Sequence, residues 1–260
     1  MIKLDIKLDT KGIERKLNDL VRKQLPFATA QAVNDVARQA KADVREAMGK
    51  AFDRPTSRTL NSVKVEFATK EKPEARVWID AEPNKGTAPA KYLEPQILGG
   101  ARNHKRFERA LQAKGLMPSG TFAVPGSAAP LDSYGNIPGS FIVQLLSYFQ
   151  SFGEQGYRAN MTKKRIAKIH GMTKSEKGFK KVGGVMYFVS NGQYRNAHLK
   201  PGIYSKTGTH GSNIKPVILF VGAANYKARL PFSDIVGRTV KKHLGARLEA
   251  RLAKALATAK

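Results

Sequence analysis

Apolar positions recur at helical spacing in one long stretch of the chain and alternate in several short ones. Between Phe27 and about Gly49, residues Ala30, Val33, Ala37, Ala40, Val44 and Ala47 return every three or four positions. That spacing defines one side of an α-helix. The helix this predicts, over about 27–48, has a face of small side chains that allows close approach to a sheet. Asp53-Arg54-Pro55-Thr56 then turns the chain. Val63, Val65 and Phe67 alternate, and so do Ala75, Val77 and Ile79 against Arg76, Trp78 and Asp80. Two strands, at about 61–69 and 74–80, predict a hairpin packed on the helix.

The N-terminal segment alternates too. Ile2, Leu4, Ile6 and Leu8 predict a short strand with one buried face. Ile13, Leu17, Leu20 and Val21 mark a first amphipathic helix with Thr10 as its N-cap, and Pro26 predicts a kink or restart before the long helix. Towards the other end, Val185–Ser190, Ile203–Ser205 and Pro216–Val221 read as strands. The last is a continuous apolar run, as in a central strand buried on both faces. Phe232, Ile235, Val236 and Val240 open a C-terminal helix that Leu244, Leu248, Leu252 and Leu256 continue at spacing of four. A leucine row of this kind serves either core packing or an oligomer seam.

Between these ends the pattern breaks. Pro and Gly punctuate the chain from Ala81 to about Gly183, with short helices predicted at Tyr92–Leu98, His104–Ala113, Phe141–Phe152 and Met161–His170, and a basic loop at Lys174–Lys181. The fold class expected is therefore α+β. A small mixed or antiparallel sheet packs on a long N-terminal helix, with a large irregular insertion and a C-terminal helix. Residues 1–80 and 184–260 would form the core domain and 81–183 the insertion.

Charge changes this picture most. The chain has 260 residues, with 46 Lys and Arg against 20 Asp and Glu, a net charge of +26. Such an excess favours a polyanionic partner. It is uneven: residues 101–200 hold 16 Lys or Arg and only four acids, Glu108, Asp132, Glu154 and Glu176. The densest segment carries Arg158, Lys163, Lys164, Arg165, Lys168, Lys174, Lys177, Lys180 and Lys181. Lys and Arg neutralise phosphates and release counterions, which gives salt-dependent, sequence-independent affinity. No helix-turn-helix or finger signature suggests base readout, so contact with DNA is expected through the backbone.

Enzymatic chemistry finds little support. The chain has no cysteine, which excludes disulfides and thiolate metal sites. His104, His170, His198, His210 and His243 include no pair at the spacing of a helical metal site. Asp80, Glu82 and Glu94 are the carboxylates that could come together around a metal, but they follow no motif. The P-loop, the G-x-S-x-G elbow and the dinucleotide fingerprint are absent, and Gly208-Thr209-His210-Gly211-Ser212 lacks the Lys-Ser or Lys-Thr that would complete a P-loop. Asn160-Met161-Thr162 fits a glycosylation sequon by chance. Neither a catalytic role, a metal nor a cofactor is expected. No stretch approaches the roughly 20 apolar residues that cross a bilayer, and MIKLDIKLD is not a signal peptide, so assembly in the cytoplasm is expected.

Several segments carry a resemblance. They are the helix from Leu17, the turn Phe52-Asp53-Arg54-Pro55-Thr56 with Thr59, and the strand ending in Ala75-Arg76-Val77-Trp78. Ala90-Lys91-Tyr92-Leu93-Glu94-Pro95-Gln96, Lys105–Leu111, Tyr157–Met161 and Pro201-Gly202-Ile203-Tyr204 add to it. Together they resemble the minor tail protein Z-like, tail-completion or neck proteins of tailed bacteriophages and prophages. The resemblance implies a structural virion protein of the neck or upper tail. It implies a homo-oligomeric ring, commonly a hexamer, around the DNA channel. The neighbours would be portal or adaptor, tail-terminator and tail-tube proteins, and genomic double-stranded DNA would be held through phosphates. The candidate subunit contacts are Phe52, Asp53, Arg54 and Pro55 in the turn and Leu244, Leu248 and Leu252 in the last helix. The alternatives are a sequence-independent DNA-binding protein of packaging or recombination and, behind it, a metal-dependent nuclease.

Overall fold

The computed structural model describes residues 3–7, 19–82, 86–153, 159–169, 172–175, 178–181, 184–193, 196–207, 212–222 and 225–258. The expected Thr10 cap and the first turns of the first amphipathic helix lie outside them. The chain divides into two units, residues 1–102 with 225–260, and residues 103–224.

The terminal unit is built on helix α1, Asp19–Ala51. Ala30, Val33, Ala37, Ala40 and Val44 are buried on it as their spacing requires, joined by Val36 and Met48. Pro26 neither ends nor restarts the helix. Proline removes one backbone hydrogen bond, but Leu25 and Ala28 on either side are buried, and that packing holds the helix together. The helix runs past Gly49 to Ala51, and Phe52 N–H closes the last turn on the Met48 carbonyl at 3.1 Å. Arg54 follows in the left-handed region at φ 45°. Thr56 then caps a short helix α2, Ser57–Leu60, by accepting from Thr59 N–H at 3.2 Å.

Strands β1 (Lys3–Lys7), β2 (Val63–Glu66) and β3 (Glu74–Ile79) form an antiparallel sheet in the order β1-β3-β2. Ile6, Val63, Ala75, Val77 and Ile79 are buried with the α1 face in one core. Asn34 on α1 ties the sheet down: its Nδ2 donates to the Ala68 carbonyl at 3.0 Å and its Oδ1 accepts Ala68 N–H at 2.7 Å. After α3 (Pro89–Leu98), β4 (Gly100–Ala101) pairs with a late strand at Asn225–Tyr226. The chain ends in a 27-residue helix, Phe232–Thr258, packed on α1. Thr239 Oγ1 donates to Asp43 at 2.5 Å and Arg251 Nε to Asp35 at 2.6 Å, so the two helices run antiparallel.

In the second unit, α4 (Arg106–Ala113), β5 (Phe122–Pro125), α5 (Gly139–Tyr148) and α6 (Lys163–Ile169) precede a hairpin of β6 (Met172–Ser175) and β7 (Gly178–Lys181). Strands β8 (Met186–Ser190), β9 (Gly202–Thr207) and β10 (Asn213–Val221) join β5 in an antiparallel sheet, order β5-β10-β9-β8. Leu111, Met117, Leu145, Ile203, Val217 and Ile218 lie in its core. Strand β10 is central, and Val217, Ile218 and Phe220 are buried, as a continuous apolar run requires. Each edge strand has a backbone N–H held by a side chain. Glu108 accepts from Ala123 at 2.8 Å, and the Tyr148 hydroxyl accepts from Tyr187 at 3.2 Å. Such contacts blunt an edge against pairing with another chain.

The α+β class stands, with the antiparallel β1-β3-β2 sheet packed with the two long helices of the terminal unit, but the division of the chain differs from expectation. Strands β8–β10 belong with β5 in the inserted body rather than with the terminal core, while residues 81–102 belong to the terminal unit. The hydrophobic run of β10 states that it is buried. Its neighbour β9 is the strand just before it, but its other neighbour, β5, lies about 90 residues away, with Ile218 opposite Pro125, a pairing no local pattern reveals. The expected Lys174–Lys181 loop is likewise most of a hairpin.

Candidate nucleic-acid interface

Nine cations were expected to meet phosphates, all of them in the second unit. Lys163, Lys164, Arg165 and Lys168 stand exposed on α6. Lys174, Lys180 and Lys181 lie in the strands of the β6–β7 hairpin, where Lys174 registers with Phe179, Thr173 with Lys180 and Met172 with Lys181. Arg158 and Lys177 lie outside the described residues.

The helix is held from its first turn. Met161 is buried, and its N–H donates to the Ser147 carbonyl at 3.0 Å at the end of α5. Asn160 clamps Phe152, donating to its carbonyl at 3.0 Å and accepting its N–H at 3.2 Å. Thr162 Oγ1 accepts Arg165 N–H at 3.3 Å, a first-turn cap. Ile166 and Ile169 are half-buried, one turn apart. Lys164 and Lys168, four positions apart, share a helix face, and like charges so placed repel by a few tenths of a kcal/mol. No acid lies in Lys163–Ile169, and among the described residues none of its four cations has an ion-pair partner. Val185 N–H returns to the Ile169 carbonyl at 3.1 Å. That bond brings the residues on either side of the hairpin segment together at the end of the cationic helix.

The described acids of this unit are engaged elsewhere. Of the four in residues 103–224, Glu108 is buried between α4 and β5. Asp132 accepts the N–H groups of Tyr134 and Asn136 at 2.9 and 2.8 Å in its own loop. Glu154 and Glu176 lie outside the described residues.

The candidate subunit contacts lie in the terminal unit. Phe52 and Leu244 pack against its core, and the Arg229 guanidinium sits 5.8 Å from the Phe52 ring. Leu248 and Leu252 are half-buried on the helix side from which Arg251 reaches Asp35 and Gln31. Packing within the chain thus occupies much of the leucine row. Asp53 and Arg54 are exposed and paired with each other at 3.2 Å, beside a half-buried Pro55.

The groups weighed for catalysis are dispersed. His104 stacks on Phe122 at 4.5 Å, with its Nε2 3.0 Å from the Thr121 carbonyl. His198 is exposed and His243 half-buried; His170 and His210 lie outside the described residues. Asp80 accepts Glu82 N–H at 3.1 Å and lies 3.7 Å from Lys64. Among the described residues no group of three or more His, Asp or Glu is placed to hold a metal ion. None of their helices is long and apolar enough to cross a membrane.

No protein-family model, curated protein or solved structure matches this chain.

Proposed function

We propose that the chain is a structural protein of a phage neck or upper tail, working as a ring around the DNA channel and holding DNA by its phosphates. The observation that carries the DNA contact is the anchoring of α6 at its start. Four exposed cations stand on a helix anchored by Met161 and Asn160, with no ion pair among the described residues. Anchoring the helix leaves its backbone little freedom to lose when phosphate arrives, and the hairpin that follows carries Lys174, Lys180 and Lys181 in its strands. The absence of a base-reading motif favours contacts without sequence preference. The ring and its neighbours, portal or adaptor, tail-terminator and tail-tube proteins, rest on the resemblance carried by the α1 helix, the Phe52–Thr56 turn and the later segments.

Light scattering and duplex binding on the purified chain test this reading together. A ring-forming chain that binds unrelated duplexes equally, and that labelling locates in the neck of the assembled particle, supports it. A chain that binds duplex tightly yet stays monomeric, and is missing from particles, favours a DNA-binding protein of packaging or recombination.

A further inference from the structure

The terminal sheet has a face that its core does not use. Strand register sets Lys3, Trp78 and Lys64 side by side across β1, β3 and β2, and Asp5, Arg76 and Glu66 side by side in the next row. Arg76 Nε donates to Asp5 Oδ1 at 2.6 Å, and its Nη1 lies 3.4 Å from Glu66 Oε2. Glu74 lies 3.8 Å from Arg76, and Asp80 3.7 Å from Lys64. Lys3, Lys64 and Glu66 are exposed, while Trp78 and Arg76 are half-buried. No layer of described residues covers them.

Charge on this face is mixed, unlike the cationic helix α6. Two copies at +26 each repel wherever their basic surfaces meet. Here Asp5, Glu66, Glu74 and Asp80 are balanced by Lys3, Lys64, Lys72 and Arg76, with Lys72 3.6 Å from Glu74, so a second copy can approach without that penalty. The same four carboxylates disfavour a phosphate backbone. At the centre sit a tryptophan and an arginine, two of the residue types that supply most binding energy at protein interfaces. Arg76 is already oriented by Asp5 and Glu66, which lowers the ordering cost of contact.

We propose that this sheet face docks a second copy of the chain. The inference rests on the ring reading above and names the surface that would build it. In a ring of more than two subunits the contact is head-to-tail, so this charge-balanced face meets a different face of the next copy.

Trp78 is the only tryptophan in the chain, so its emission reports on this face directly. On dilution of the wild-type chain, its emission should shift to the red with the same midpoint as the fall in mass seen by light scattering. Trp78→Thr, read by light scattering, and Arg76→Glu, read both ways, should each weaken association at least about tenfold with the far-ultraviolet circular dichroism unchanged. A chain whose mass falls while Trp78 emission stays fixed overturns this inference and leaves the ring standing. So do folded variants of both kinds that assemble like wild type. Monomer mass at every concentration overturns both. A shift produced by duplex DNA added to the monomer would assign the face to nucleic acid and also overturn the proposal.

Discussion

Glu108→Ala tests the packing that mounts the second unit's sheet. Glu108 is fully buried at the third position of α4. One carboxylate oxygen accepts Lys105 N–H at 2.6 Å at the start of the helix, and the other accepts Ala123 N–H at 2.8 Å on edge strand β5. Truncation removes a helix-start contact of about 1 kcal/mol. It leaves the buried Ala123 N–H without this acceptor, at about 1–3 kcal/mol, and the emptied volume adds about 1 kcal/mol. The expected loss is roughly 3–5 kcal/mol, a large share of a domain's stability. Glu108→Gln should fall between. Its single amide oxygen can serve one N–H while its NH₂ faces the other, for a loss of about 1–3 kcal/mol. Urea unfolding followed by circular dichroism measures both, and hydrogen exchange at Phe122–Pro125 locates the effect. An alanine variant within about 0.5 kcal/mol of wild type, or a glutamine variant indistinguishable from it, would refute the bridging role.

Three further outcomes are expected. Gly202→Ala should destabilise by at least about 1–3 kcal/mol, because its Cβ would stand 2.4 Å from the Ile218 carbonyl oxygen on the paired strand; thermal unfolding reads this. Burial raises the hydroxyls of Tyr148 and Tyr187 above the ordinary tyrosine value, with a smaller opposing effect at Tyr148 from the Tyr187 N–H. Their contribution to stability is therefore full below a pH of about 10 and is lost as pH rises through the folded values; Tyr187→Phe should flatten that alkaline decline in urea midpoints. Replacing Lys163, Lys164 and Arg165 together by Glu should weaken binding to all duplexes alike and reduce the salt-dependence slope by about 3, as measured by titrations at several ionic strengths; an unchanged slope would remove α6 from the DNA surface.

Much of the candidate DNA surface was legible in the chain because it depends on composition over a short span. Lys163, Lys164, Arg165 and Lys168 sit within two helical turns, so any helix there displays them together. What holds that helix was not legible. Met161 reaches Ser147, and Asn160 reaches Phe152, across a loop whose path the local pattern does not state. The row Lys3, Trp78 and Lys64 was half visible: alternation gives the outward parity of each residue, but only register makes them neighbours.

By itself the sequence determined which side of α1 and β3 is buried and that β10 lies inside. It put Phe67 on a buried strand face, whereas the strand ends at Glu66 and Phe67 is 46% exposed, with the Arg38 guanidinium 4.7 Å from its ring. The Ala and Val spacing of α1, the alternation of β3 and the apolar run of β10 are local consequences of 3.6- and 2-residue periods, and all three are buried as those periods require. It also determined the charge and where that charge is dense. Only the tertiary structure decided which strands pair, and so where the chain divides. The β5–β10 contact joins Phe122–Pro125 to Ile218–Val221, and the Asp5–Arg76 pair spans 71 residues. Contacts of that range depend on shape and register summed over a whole core, which no short stretch of residues encodes.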